Sequence, residues 1–155
     1  MEYGPSEELP LADHELLDAA RAATHSSYAP YSHYHVGAAV RLANGKIITG
    51  SNQENIAFPA GLCAERVAVF AAASAFPDIA IESIAISATA DSFQVTEPVT
   101  PCGMCRQAII EFEMKFNAKI RIILSGETGK TLIIDGMDTL LPLTFQEKGL
   151  VKSNL

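Results

Sequence analysis

Hydrophobic and polar positions along the chain follow helical spacing in some segments and strand spacing in others. Apolar residues recur at helical intervals between Pro10 and the turn at residues 26–30, and this pattern predicts a first helix. The inward-facing positions of that helix are Leu16, Leu17, Ala20 and Ala23. The rest of the chain divides into strand segments, turns and further helices.

Five short apolar segments are typical of β-strands. In chain order they are residues 36–42, 47–51, 81–88, 119–125 and 131–134. The dipeptide Asn44-Gly45 joins the first two segments and is a strong signal for a two-residue hairpin turn. The connection over residues 126–129 is too short for a crossover, so the last two strands must be antiparallel.

Further helices are predicted over residues 63–76, 102–116 and 137–141. The second helix carries no charged residue between positions 67 and 77, and apolar residues surround it on every side. Such a helix is expected to be buried all round. A single small domain covers a helix of this kind poorly, so the pattern favours a homo-oligomer.

The order of these elements predicts an α/β fold with a five-stranded mixed sheet and helices on its faces. The sequence contains no internal repeat, low-complexity segment or linker-like stretch. We therefore expect residues 1–155 to form a single domain.

Composition narrows the class of protein. Of the 155 residues, 48% are hydrophobic and 19% are charged, a balance that disfavours intrinsic disorder. The net charge of −7, with no run of three basic residues, disfavours a nucleic acid polymer as a partner. Residues 1–10 lack the positive start of a secretory signal, and no stretch is apolar enough for a membrane span. A cytoplasmic protein without a membrane partner is the simplest expectation.

The three cysteines are the candidate chemistry of the chain. An odd number cannot form a closed set of disulfides, and Cys102 and Cys105 share one face of a helix's first turn. Three thiolates suit one zinc ion per chain and leave its fourth position for water, the pattern of a catalytic site. The alternative is three ordinary buried cysteines. The pairing of Pro-Cys-x-x-Cys with Cys63-x-Glu65, each at a helix start, disfavours that alternative.

Two charged residues next to Cys63 complete the chemical pattern. Three thiolates give a zinc site a net charge of −1, which the amino ends of two helices and the side chain of Arg66 can offset. The Glu65 carboxylate, beside a metal-activated water, is placed to carry protons.

The segments PAGLCAER (residues 59–66) and TPCGMCRQ (residues 100–107) resemble the small, homotetrameric zinc-dependent cytidine deaminases. The resemblance extends over residues 31–145. It implies a three-layer α/β/α fold and hydrolysis of cytidine and deoxycytidine to uridine and deoxyuridine, with release of ammonia, in pyrimidine salvage. It also implies that Cys63, Cys102 and Cys105 bind zinc. Glu65 would then shuttle the proton, and Arg66 would neutralise the thiolates.

The resemblance assigns substrate-binding residues as well. Tyr34 would lie against the base, Asn52 and Glu54 would bind the ribose 3′-hydroxyl, and the Thr100 carbonyl would accept from the departing amine. Ala64 and Phe58 are further substrate-binding residues. Phe145 would reach the pocket of a neighbouring subunit. An amide and a carboxylate two residues apart on an extended segment can grip one hydroxyl, although a strand-end turn is the alternative interpretation of Asn52 and Glu54. An aromatic residue near the tail, such as Phe145, otherwise serves as a core anchor.

Four positions depart from the family pattern. Tyr34 replaces a usual Phe and His35 a usual Pro, which changes the expected polarity of the pocket. Phe58 replaces a Tyr and removes a hydroxyl near the 5′ end of the sugar, and Ile56 replaces a small residue. His33 and His35 lie two apart and offer a second possible metal pair, but the cysteines already complete a site, so a loop-edge pair is favoured.

Three other functions were weighed against nucleoside deamination. A deaminase for a modified or antibiotic nucleoside keeps the chemistry, but Asn52 and Glu54 disfavour it. A polynucleotide-editing deaminase is disfavoured by the acidic charge and by the short connection over residues 126–129. A non-catalytic zinc scaffold would need the cysteines but not Glu65, Asn52 or Glu54. The presence of the Glu65 carboxylate beside an open zinc position disfavours it.

Overall fold

A mixed β-sheet forms the centre of the protein. The computed structural model describes residues 2–5 and 9–147. The strands are β1 (Glu2–Pro5), β2 (Tyr34–Leu42), β3 (Ile47–Ser51), β4 (Ile81–Ala90), β5 (Arg121–Leu124) and β6 (Lys130–Asp135). The helices are α1 (Leu11–Ala23), α2 (Ala64–Ala75) and α3 (Gly103–Phe116).

The predicted mixed sheet is confirmed, and one edge strand is added to it. The strand order is β1-β6-β5-β4-β2-β3, with β4 and β5 as its parallel pair. Strands β5 and β6 are antiparallel, as the short connection between them requires. The sixth strand, β1, pairs antiparallel with β6. Its four residues include Gly4 and Pro5 and lack a strand pattern. The segment is recognised as a strand only from its backbone pairing with β6.

The sheet separates two hydrophobic cores, which gives the expected three layers. Alternate strand residues point to opposite faces: Ala39, Ala85 and Ile123 pack with α1, while their neighbours pack with α2 and α3. The larger core lies on the side of α2 and α3. Cysteine-bearing elements and the larger core therefore share one face of the sheet.

The structure refines two helix predictions. The side of helix α2 that carries Ala64, Ala68, Val69 and Ala72 is buried, but in the single chain its other side is exposed, including Phe70 at 46%. The sheet can cover only one face of this helix, which agrees with the expectation that one small domain covers it poorly. The predicted last helix is a short 3₁₀ turn, Met137–Thr139, whose first residue is fully buried.

None of the helices among the described residues is both long and apolar enough to cross a membrane. The predicted polar tail extends into residues 148–155, which lie outside the described part of the chain.

Candidate active site

The amino ends of two helices carry the cysteines. Cys63 is the residue that precedes α2, and Cys102 is the residue that precedes α3. Each has extended backbone, and Pro101 suits the position before Cys102 because it has no N–H to satisfy. Free N–H groups and the positive ends of both helix dipoles therefore lie next to the thiols.

Helix α2 reaches its place because β3 has no side chain at Gly50. A Cβ atom there would lie 2.5 Å from the backbone nitrogen of Ala68 and 2.8 Å from the carbonyl oxygen of Ala64. Real Cβ atoms do not approach backbone this closely, so glycine is required for the close approach. The first turn of α2 thus packs directly on the sheet.

The three sulfur atoms form a triangle. Cys63 Sγ lies 3.8 Å from Cys102 Sγ, which lies 3.6 Å from Cys105 Sγ. All three sulfurs lie within 4.8 Å of one another. A tetrahedral zinc ion with Zn–S bonds of about 2.3 Å holds its sulfur ligands about 3.8 Å apart, so the triangle fits zinc.

Electrostatics around the sulfurs favours thiolate formation at Cys63. A hydrogen bond from Cys105, assisted by Arg66 and Cys102, lowers the pKa of Cys63 to about 5. The same hydrogen bond raises the pKa of Cys105. Arg66 Nη2 lies 4.0 Å from Cys63 Sγ, and its Nε is buried without a hydrogen-bond partner. The guanidinium is therefore placed to offset the charge of bound thiolates.

Glu65 is a buried carboxyl group at the edge of this triangle. Glu65 is only 4% exposed, yet it contributes to the wall of a cavity. Burial raises the pKa of the Glu65 carboxyl, and the nearby charge of Cys63 raises it further. A carboxyl group whose pKa is raised holds its proton more readily than an exposed one, which suits a group that both accepts and donates a proton.

The cavity extends from the sulfurs to the protein surface and has a volume of about 490 Å³, a size typical of small-molecule sites. Eight residues assigned from the sequence line it: Tyr34, Asn52, Glu54, Phe58, Cys63, Glu65, Thr100 and Cys102. Cys105 is fully buried beneath the other two cysteines. The zinc ligand set and the sugar-binding candidates therefore belong to one cavity.

Asn52 and Glu54 lie at the end of β3 and face the start of β2. Asn52 Oδ1 accepts a hydrogen bond of 2.8 Å from the Val36 N–H, and Asn52 Nδ2 donates one of 2.9 Å to the Tyr34 carbonyl. Glu54 Oε2 accepts from the N–H groups of Tyr31 at 2.9 Å and Ser32 at 3.2 Å. The hydrogen bonds from Ser32 and Tyr31 lower the pKa of Glu54. Both residues belong to the cavity wall, and a carboxylate and an amide can each form more hydrogen bonds than these.

Comparison with known proteins identifies the family of the chain. Residues 11–118 match the family model described as the cytidine and deoxycytidylate deaminase zinc-binding region. The chain belongs to this deaminase family. A cytidine deaminase of Halalkalibacterium halodurans is 38% identical over 62% of this chain and 68% of its own length.

Solved structures of the family share the fold. A cytidine deaminase structure from Burkholderia pseudomallei covers 85% of this chain and 98% of its own, with 34% identity and a TM-score of 0.73. One from Mycobacterium tuberculosis covers 86% of this chain and 96% of its own, with 27% identity and a TM-score of 0.65. The resemblance to the zinc-dependent cytidine deaminases is therefore confirmed, as is zinc as the family's metal.

Two of the substrate-binding residues expected from the family pattern lie outside the cavity wall of their own chain. Ala64 is fully buried behind the cysteines, where it packs in the core. Phe145 is 73% exposed, and its backbone is held by the Gln107 side chain through two hydrogen bonds of 3.1 Å. A role for Phe145 at a substrate therefore requires the cavity of another chain.

His33 and His35 both contact the carboxylate of Asp91. His33 Nδ1 lies 3.2 Å from one oxygen of Asp91, and His35 Nε2 lies 3.0 Å from the other. The cysteine triangle is the one metal-ligating group found among residues 2–5 and 9–147. The favoured interpretation of the pair as loop-edge histidines agrees with this arrangement.

Sequence reasoning missed several residues of the site. The cavity wall also includes Tyr31, Ser32, Val36, Gln53, Asn55, Gly61, Leu62 and Val99. Tyr31 packs edge-on against Phe58 with ring centres 5.7 Å apart. Arg106 fixes the loop before α3 by donating hydrogen bonds of 2.7 Å to Pro101 O and 2.8 Å to Leu140 O. These contacts join segments distant in sequence, so no local motif signals them.

Proposed function

We propose that the chain catalyses hydrolytic deamination of cytidine and deoxycytidine to uridine and deoxyuridine, with release of ammonia, as a cytoplasmic single-domain enzyme of pyrimidine salvage. One observation carries the proposal. A buried Glu65 carboxyl adjoins a sulfur triangle that fits zinc at the inner end of a nucleoside-sized cavity. A structural zinc site needs neither the cavity nor the carboxyl group.

Glu65 carries the protons of the reaction. When bound by Cys63, Cys102 and Cys105, zinc supplies Lewis acidity that makes a water molecule nucleophilic toward C4 of the base. Glu65 accepts the first proton of that water and delivers it to the ring N3. The water oxygen bonds to C4 as the C4–N3 double bond opens. Glu65 then transfers the remaining hydroxyl proton to the C4 amine, the C4–O double bond forms as the C4–N bond breaks with its electron pair on nitrogen, and ammonia leaves.

The remaining cavity residues hold and orient the nucleoside. The Thr100 carbonyl oxygen accepts a hydrogen bond from the departing amine, and the Tyr34 ring lies against the base. Asn52 and Glu54 bind the ribose 3′-hydroxyl; both already have fixed orientations through their backbone contacts, which reduces the entropy lost on binding. Arg66 balances the thiolate charge.

A homotetramer with shared active sites belongs to the same proposal. Apolar groups are exposed at the cavity mouth, on α2 and at the carboxy-terminal segment: Ile56 (82%), Phe58 (74%), Phe70 (46%) and Phe145 (73%). A contact between copies would bury these groups and bring Phe145 to a neighbouring cavity. Light scattering tests it. A fully active monomer would contradict the contribution of Phe145 from another chain.

The test of function is an absorbance assay with cytidine, deoxycytidine, cytosine and a 5′-phosphorylated nucleotide, alongside metal analysis. We expect one zinc per chain and turnover of the two nucleosides in preference to the base and the nucleotide. Cys102→Ser is expected to lose both zinc and turnover, whereas Ser92→Ala, an exposed loop control, is expected to keep both. A folded, zinc-free wild-type protein, or one inactive on both nucleosides, would contradict the proposal.

A further inference from the structure

The Tyr34 ring is supported from outside the cavity by a second aromatic residue. Tyr34 lies in the cavity wall, and Phe93 stacks on it with ring centres 6.3 Å apart and an angle of 24° between the planes. Phe93 is 60% exposed and takes no part in the cavity wall. Its contact with Tyr34 therefore serves the position of that ring.

Asp91 fixes the segment that carries Phe93. Its carboxylate oxygens bind His33 Nδ1 at 3.2 Å and His35 Nε2 at 3.0 Å, and its N–H donates to the His33 carbonyl at 3.2 Å. The two histidines directly precede and follow Tyr34 in the chain. Both neighbours of Tyr34 are thus held by one side chain, two residues before the stacking Phe93.

The hydrogen bonds of the His35 ring fix its orientation further. A carboxylate can only accept hydrogen bonds, so His35 Nε2 donates to Asp91. In the neutral ring, Nδ1 then accepts from the Ser27 hydroxyl group, which lies next to it. A chain of hydrogen bonds therefore runs from Ser27 through His35 to Asp91, whose other carboxylate oxygen lies 3.2 Å from His33 Nδ1.

These contacts frame the cavity through one loop. The loop that leaves β4 begins at Asp91, and its last part brings Val99 and Thr100 to the cavity wall. We infer that Asp91, His33, His35 and Phe93, here called the Asp91 clamp, are positioning residues that set the place of Tyr34 and thereby the affinity for the pyrimidine nucleoside. This inference rests on the proposed function for the identity of the ligand.

The clamp is tested with the zinc-loaded enzyme. Phe93→Leu and Asp91→Ala are expected to raise both KM for cytidine and Kd for uridine about 3- to 10-fold, the factor expected for loss of an aromatic pair. The value of kcat stays within about twofold, because the groups that move protons are untouched. Phe93→Tyr keeps the aromatic ring and is expected to keep the wild-type KM for cytidine. Gln94→Ala changes an exposed neighbour in the same loop and is expected to leave that KM unchanged.

Three results would overturn the inference: unchanged KM and Kd in both variants, a fall in kcat equal to the fall in kcat/KM, or the same effect in Gln94→Ala. If Asp91→Ala fails to fold, Asp91→Asn, which keeps the shape of the side chain, takes its place. Uridine Kd from calorimetry needs no turnover. Wild-type protein that binds uridine but does not deaminate cytidine would contradict the proposed function, while the Kd values still decide whether the clamp acts.

Discussion

The inner and outer ends of the cavity are built in different ways. At the inner end, Cys105 is fully buried and Glu65 is 4% exposed, and helix starts hold the chemical groups in place. At the outer end, Phe58 is 74% exposed and Glu54 is fixed by the loop backbone at Tyr31 and Ser32. The proposed chemistry is thus placed on regular elements, and the proposed contacts to the sugar are placed on loops.

The two ends should therefore respond differently to substitution. A change at the inner end alters proton transfer or metal binding, because water cannot take the place of a thiolate ligand or of the Glu65 carboxyl group. A change at the outer end alters affinity and selectivity, because water can partly replace a lost contact there. Four substitutions, two at each end of the cavity, distinguish these two kinds of effect.

Glu65→Gln should have the largest effect. The amide keeps the shape of the side chain but cannot carry a proton, so kcat is expected to fall by about 10²- to 10⁴-fold. Zinc content and thermal unfolding are expected to match the wild type, and Glu82→Gln, an exposed carboxylate on β4, is the matched control. Steady-state assays and metal analysis check this. Turnover that survives the change would mean that another group is the base.

Glu54→Gln should act on binding. Gln keeps an oxygen for the Tyr31 and Ser32 N–H groups but loses the charge, and hydrogen bonds to charged groups contribute about 1.5–3 kcal/mol. KM for cytidine is therefore expected to rise about 10- to 100-fold. Activity on free cytosine, which has no ribose, and the Glu97→Gln variant serve as controls. An equal loss with cytosine would contradict a sugar contact.

Gly50→Ala tests whether the inner end depends on the packing of α2. The added methyl group meets backbone atoms of α2 at 2.5 and 2.8 Å, and overpacking costs about 1–3 kcal/mol of unfolding free energy. We expect a lower Tm and weaker zinc retention against a chelator. Gly4→Ala, with no atom within 4 Å of its new methyl group, is the control. Unchanged zinc retention would separate the metal site from this contact.

Phe58→Tyr should have the smallest effect. It returns the hydroxyl group that the family pattern has near the 5′ end of the sugar, at an exposed site where a neutral hydrogen bond contributes about 0.5–1.5 kcal/mol. KM for cytidine is expected to fall about two- to tenfold, with cytosine unaffected. Comparison of cytidine with 5′-deoxycytidine measures it. A fall of the same size for both substrates would contradict a contact to the 5′-hydroxyl.

The sequence predicted most of the fold because its signals are local. Helix periodicity, the Asn44-Gly45 turn and the short connection over residues 126–129 each act within a few residues. Strand β1 escaped prediction because its pairing with β6 depends on backbone far away in the chain. The uncharged surface of α2 predicted that one chain would cover this helix poorly, but it does not reveal which side of the helix stays exposed.

Within the site, the chemical types follow from the sequence alone: three thiols, one carboxyl group and their positions at two helix starts. Spacing within one helical turn fixes such sets before any long-range contact forms. The sequence also led us to expect that Cys63 meets Cys102 across 39 residues, but the 3.8 Å geometry of that contact, the packing of Tyr31 on Phe58 and the contacts of Asp91 with both neighbours of Tyr34 depend on tertiary packing. These contacts join separate elements, and their geometry depends on how β3, α2 and α3 pack against the sheet.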